Sequence, residues 1–170
     1  MTYNNIEIFR KNNFKNQILI VDGQPGCGKS MFSKIIASME RVELASYLFE
    51  LEFICRLNYF KKIKNDAAIT MVQLLTDHKL YQSMMGREIN FRYSDISSVF
   101  KDSNPLKYFL RIFQKGDQHI NRKIKIEKPI LNLTTHNILS VGEPLFLALK
   151  ERLSIIEIVR HPLYMINQQF

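Results

Sequence analysis

The run Gly23-Gln24-Pro25-Gly26-Cys27-Gly28-Lys29-Ser30 has residue types and spacing that can do chemistry. It matches the Walker A pattern Gly-x-x-x-x-Gly-Lys-Ser throughout. Glycines let a backbone wrap a phosphate closely. The loop amides then converge on its oxygens, and the start of the next helix adds its positive end. Lys29 is placed to reach outer phosphate or sulfuryl oxygens. Ser30 is placed to donate to phosphate, or to ligate magnesium if a nucleoside triphosphate is bound. Cys27, inside the loop, reads as a small filler. A disulfide there would spoil the loop, so Cys27 and Cys55 are expected to be free thiols in a reducing compartment.

Two further segments carry candidate chemistry. Leu131-Asn132-Leu133-Thr134-Thr135-His136-Asn137 ends an apolar run in a Thr-His pair. Ile155-Ile156-Glu157-Ile158-Val159-Arg160-His161-Pro162 ends another in an arginine. His136 can serve as a general base, or as a hydrogen-bonded structural histidine. Arg160 can bind an anion, or simply occupy a turn that Pro162 enforces. His78 and His119 stand alone, and no Cys/His/carboxylate group has metal-site spacing, so no metal site is expected.

These residues need strands and helices to hold them. Ile18–Val21 is short, apolar and β-branched, which reads as a buried parallel strand leading into the glycine loop. Lys29–Glu40 follows with Met31, Ile35, Ile36 and Met39 at helical spacing. Leu44–Phe60 is apolar and aromatic with no internal breaker, and its aromatics are expected in the core, as are Met84 and Met85. Asn65 and Asp66 offer a cap for a helix running to Met85 and ended by Gly86. Ser94 caps a short helix to Phe100. Asn104-Pro105 starts another that runs through Phe113 and stops near Gly116. Strands are expected at Pro129–Thr134 and Ile155–Val159, a helix between them at about Glu143–Leu149, and a last helix from Leu163. Strands alternating with helices imply a parallel sheet with helices on its faces. In an open sheet of that kind ligands gather at the carboxyl ends of strands, so the loop, His136 and Arg160 should face one crevice.

Composition narrows the class. At 170 residues the chain is expected to be one domain, 1–170, with a helical middle at about 44–115. Its 46% hydrophobic content supports a packed core rather than disorder. The net charge of +8 favours anionic ligands. The basic run Arg122-Lys123-Ile124-Lys125 with Lys128 is short and reads as a solvated face. No aromatic-plus-basic stripe supports nucleic acid, which is not expected as a partner. No apolar run approaches the roughly 18–20 residues a spanning helix needs. Met1–Lys15 lacks the pattern of a signal peptide, so the expected location is cytoplasmic. The sequence stops inside the last expected helix, which suggests a C-terminally incomplete α/β fold.

The order of the three motifs resembles the sulfotransferase family. The resemblance covers the glycine loop and residues 130–166. It implies a three-layer αβα P-loop fold with a helical insertion, and a transferase using 3′-phosphoadenosine 5′-phosphosulfate (PAPS). Gly23–Ser30 would bind the 5′-phosphosulfate, His136 would match the base of a Lys-Thr-His segment, and Arg160 would hold the 3′-phosphate. Lys29 would stabilise charge on the leaving phosphate. The partners would be a nucleotide-type donor and an acceptor hydroxyl or amine. The sequence departs from the family at several points, and the serine expected eight residues beyond the arginine falls on Gln168. The family loop, Pro-Lys-Ser-Gly-Thr-Thr, has its lysine where Gly26 stands, and Thr134 stands where the lysine of Lys-Thr-His belongs. The Lys29-Ser30 ending fits an ATP-dependent kinase or NTPase with magnesium instead. However, no strand ends in the apolar-run-plus-Asp that holds magnesium in those proteins; Asp22 and Glu157 lie elsewhere.

Overall fold

The computed structural model describes residues 6–95, 97–102, 104–116 and 118–169. Residues 1–5 of the polar N-terminal stretch and Phe170 lie outside them. So does Ile96, inside the helix expected from Ser94.

Four strands form one parallel sheet: β1 Ile18–Asp22, β2 Ser46–Tyr47, β3 Leu131–Thr134 and β4 Leu153–Glu157. Their order across the sheet is β2-β3-β1-β4, so β1 is flanked on both sides. It pairs Val21 with Thr134 of β3 and Asp22 with Glu157 of β4. A β-branched run buried on both faces suits this central position.

The side chains of β1 and β3 alternate between two faces, as a strand's period of two requires. Ile18, Ile20, Leu131 and Leu133 join the main core. That core is completed by α2 (Phe49–Tyr59), α3 (Asn65–Met85), α5 (Gln118–Glu127) and α6 (Glu143–Leu149). The other face carries a thinner layer. There Val21 packs with Ile36 of α1 (Lys29–Ala37) and with Val42. The chain is thus a mixed α/β protein with helices on both faces of a parallel sheet. Among the described residues the further helices are α4 (Pro105–Phe109) and α7 (Pro162–Gln169).

Where the sequence reading and the structure part, the causes are local. β2 has two residues, too few for any alternation to show. α2 begins only at Phe49. Its inward side is Leu51, Ile54, Cys55 and Asn58, so Phe49, Phe53, Tyr59 and Phe60 are exposed instead of filling the core. In α1 the inward residues are Lys29, Ser33 and Ile36, which leaves Met31, Ile35 and Met39 outside. The helix from Asn65 does end at Gly86, which adopts φ +83°. Its N-cap, however, is Lys64. Asn65 accepts instead from Asn58 at 2.8 Å, and Asp66 from the Ile8 amide at 2.7 Å. Asn104 caps α4 as expected by accepting from the Lys107 amide at 3.3 Å, but α4 gives way to a 3-10 turn at Leu110–Phe113. Instead of a helix from Ser94, a 3-10 turn spans Val99–Lys101. α5 was not expected, because Ile120 and Ile124 are its only buried residues and leave little apolar period to read.

A buried ion pair pins the helical middle to the sheet side. Arg111 donates to both carboxylate oxygens of Glu43, at 2.5 and 2.8 Å. Ser83 of α3 also donates to Glu43, and the Tyr108 ring lies 4.8 Å from the guanidinium.

Candidate functional site

The carboxyl ends of β1, β2, β3 and β4 meet the start of α1 at a cleft of about 630 Å³. Its wall consists of Pro25, Gly26, Gly28, Lys29, Ser30, Met31, Lys34, Tyr47, His136 and Arg160. Among the described residues, three cations and no carboxylate line it. The loop, His136 and Arg160 are therefore brought together, 24 or more residues apart in sequence at the closest, because each follows a strand of one parallel sheet.

The loop turns on glycine. Gly23 sits at φ +141°, and a Cβ there would fall 2.5 Å from the Ile158 carbonyl oxygen. Gly26 and Gly28 take φ +82° and +106°, values that L side chains adopt only under strain. Gly28 is the N-cap of α1, and its carbonyl accepts the Met31 and Phe32 amides that begin the helix. Gly23 and Cys27 are buried behind the cleft wall, Gln24 is exposed, and none of the three lines the cleft.

Lys29 does not project into the open cleft. Its ammonium is turned back onto the loop, 2.6 Å from the Gly23 carbonyl and 2.9 Å from that of Gln24. Cys27 Sγ lies 4.0 Å away. Ser30 is exposed on the cleft wall. Arg160 is exposed and donates to the Gly26 carbonyl at 3.1 Å, with the Tyr164 ring 5.8 Å from its guanidinium. Its charge thus sits over the loop.

Two carboxylates, Asp22 and Glu157, end the neighbouring strands β1 and β4. Asp22 accepts from the Thr135 hydroxyl at 2.9 Å and the Leu139 amide at 3.0 Å. Burial alone would raise its pKa. The amides of Leu139, Ile138 and Gly23 and the Thr135 hydroxyl outweigh this and hold it below the usual carboxylate value. Its register partner Glu157 is shifted upward, first by burial and then by the charge and hydrogen bond of Asp22, with Lys29 opposing. Thr134, at the end of β3, spends its hydroxyl on Ser33 of α1 at 3.1 Å.

His136 is half-buried and held from several sides. Glu52 Oε1 accepts both its backbone amide, at 3.0 Å, and a hydrogen bond with its Nδ1, at 3.1 Å. Glu52 Oε2 accepts from Arg56 at 3.1 Å. The rings of Tyr47 and Phe49 lie with their centroids 6.2 Å from the imidazole and nearly parallel to it, at 11° and 4°. Glu52, Arg56, Tyr47 and Phe49 were not singled out from the sequence. A glutamate in the first turn of an amphipathic helix carries no signal that it will turn inward. His78 pairs with Gln82 on α3, and His161 accepts from the Leu163 amide. Among the described residues no group of three or more His, Cys, Asp or Glu could hold a metal ion, and no helix is long and apolar enough to cross a membrane.

Fold and site together define a parallel α/β protein with a cationic cleft at the carboxyl edge of its sheet. No family model matches the chain, and neither does any curated protein or solved structure.

Proposed function

We propose that the protein is a P-loop group transferase of the sulfotransferase-like kind, moving a sulfuryl group from PAPS to an acceptor hydroxyl or amine. The observation that carries this reading is the shared cleft: loop, His136 and Arg160 face one space whose wall holds cations and no carboxylate. A wall of that charge suits a donor bearing several phosphate oxygens.

The residues divide the work by position. The uncommitted N–H groups of the loop and the N-terminus of α1 attract the 5′-phosphate end of the donor. Arg160, beside Gly26, is the ligand for its 3′-phosphate. The donor supplies an electrophilic sulfur. The acceptor oxygen or nitrogen forms a bond to that sulfur as the sulfur–oxygen bond to the phosphate breaks. The acceptor proton passes to His136, and the electron pair of the broken bond leaves on adenosine 3′,5′-bisphosphate. Lys29 and the loop amides stabilise the charge on that leaving oxygen. Holding donor and acceptor in line supplies much of the rate.

The competing ATP-dependent kinase or NTPase reading draws on Lys29 and Ser30 at the start of α1. It needs a strand-end carboxylate to hold magnesium; β3 leads into Thr134 and Thr135, whose hydroxyls are engaged by Ser33 and Asp22, and Asp22, which ends β1, is itself tied to Thr135 and the Leu139 amide. Binding of adenosine 3′,5′-bisphosphate in the absence of magnesium tests the proposal against this alternative.

A further inference from the structure

We infer that Glu52 is the positioning residue for His136, fixing which ring nitrogen carries the proton and leaving Nε2 as the proton acceptor. The role in transfer rests on the reading of His136 as base; the contact itself does not.

Glu52 lies in the first turn of α2 and is buried. Its oxygens receive three donors: the His136 amide on Oε1, the Arg56 guanidinium on Oε2, and the His136 ring on Oε1. A carboxylate paired to a guanidinium accepts hydrogen bonds and has none to give. The His136 nitrogen facing it, Nδ1, must therefore carry a hydrogen. In the neutral ring that places the lone pair on Nε2, which has no partner among the described residues, while the residue itself lines the cleft.

Orientation is set as well as tautomer. Because one oxygen holds both the backbone amide and the ring of the same residue, the imidazole cannot swing without breaking a bond to Glu52. The rings of Tyr47 and Phe49 lie beside the imidazole and nearly parallel to it. Arg56, which also reaches the His136 carbonyl at 3.5 Å, tethers the carboxylate in turn. A carboxylate behind an imidazole also stabilises the imidazolium formed when the base takes its proton. Each of these residues comes from β2 or α2, the two elements that bring the helical middle to the cleft.

The test uses nitrogen-15 NMR of the His136 ring in the full chain, in wild type, Glu52→Leu and Arg56→Met, with backbone amide spectra verifying that each is folded. In wild type the neutral ring should be the Nδ1–H form. Glu52→Leu, which removes the acceptor, should shift it toward the Nε2–H form, and Arg56→Met should keep it. An Nε2–H ring in wild type, or an unchanged ring in Glu52→Leu, would overturn the inference. With PAPS as donor, Glu52→Leu should lower kcat at least about tenfold with little change in the donor KM. Equal loss in both constants would overturn the positioning role. If wild type shows the Nδ1–H ring but no transfer, the transferase reading fails while the assignment of Glu52 to the ring stands.

Discussion

The ammonium of Lys29 lies 2.6 Å from the carbonyl oxygen of Gly23, six residues earlier in the same loop. The side chain thus ties the loop to itself, and on the proposed reading an incoming phosphate would draw it away. Lys29→Met keeps the length and removes the charge. It should lower stability by about 1–3 kcal/mol, because the buried Gly23 carbonyl and the part-buried Gln24 carbonyl lose their charged donor. It should also weaken adenosine 3′,5′-bisphosphate binding at least about tenfold, the effect of one lost charge-assisted contact. Urea denaturation and calorimetric titration of the same variant read the two effects separately.

The loop glycines should not be equivalent. Alanine at 23 would place its Cβ 2.5 Å from the Ile158 carbonyl oxygen and 2.9 Å from Cys27 Sγ. Alanine at 28 would meet nothing within 4 Å and would suffer only its positive φ. Backbone strain of this kind costs about 1–3 kcal/mol. Gly28→Ala should fall in that range and Gly23→Ala above it, as read from urea midpoints. The reverse ranking would contradict the loop geometry.

The Glu43–Arg111 pair should behave as a buried ion pair. Arg111→Ala alone leaves a buried carboxylate and should cost about 3–5 kcal/mol. Glu43→Leu with Arg111→Leu should cost much less than the single Glu43→Leu and Arg111→Leu changes summed, so that a double-mutant cycle shows the two to be coupled. The pair also sets an acid limit. Burial would raise the pKa of Glu43, but the hydrogen bond and charge of Arg111 and the charge of Lys107 bring it below its usual 4.5. A carboxylate depressed on folding stabilises the native state above its unfolded pKa, and that stabilisation fades as pH falls through the folded value. Thermal melts should therefore decline below about pH 4.5 in wild type, and the double variant should show a shallower decline.

Burial, followed by the charge of Glu52, pushes the Cys55 thiol up to about 12. Reactivity belongs to the thiolate. In a Cys27→Ser variant, the remaining thiol should resist a disulfide reagent at pH 8 until denaturant is added. Rapid labelling of the native protein would contradict the burial of Cys55.

Much of the frame was legible because its signals are local. The apolar run at Ile18–Val21 stops at glycine, Gly86 ends a long helix, and Pro105 follows a capping Asn104; each acts within a few residues. Placement of the loop, His136 and Arg160 at one cleft followed from the rule that strand ends share an edge in a parallel sheet. What stayed hidden depends on pairing between distant segments. Arg111 and Glu43 meet across 68 residues, and Glu52 and His136 across 84. Nothing in the type of either partner announces the other. β2 exists only because β3 offers it an edge, and the outward turn of Phe49 and Phe53 follows from which side of α2 meets α3.

The central claim is that the cleft recognises a nucleotide through the loop and Arg160 together. The most direct measurement is a side-by-side calorimetric titration of adenosine 3′,5′-bisphosphate and ATP, each with and without magnesium, on wild type and Arg160→Ala. The account predicts that the bisphosphate binds without magnesium and loses about tenfold or more in affinity when Arg160 is removed. Magnesium-dependent ATP binding that ignores Arg160, with no bisphosphate binding, would contradict it.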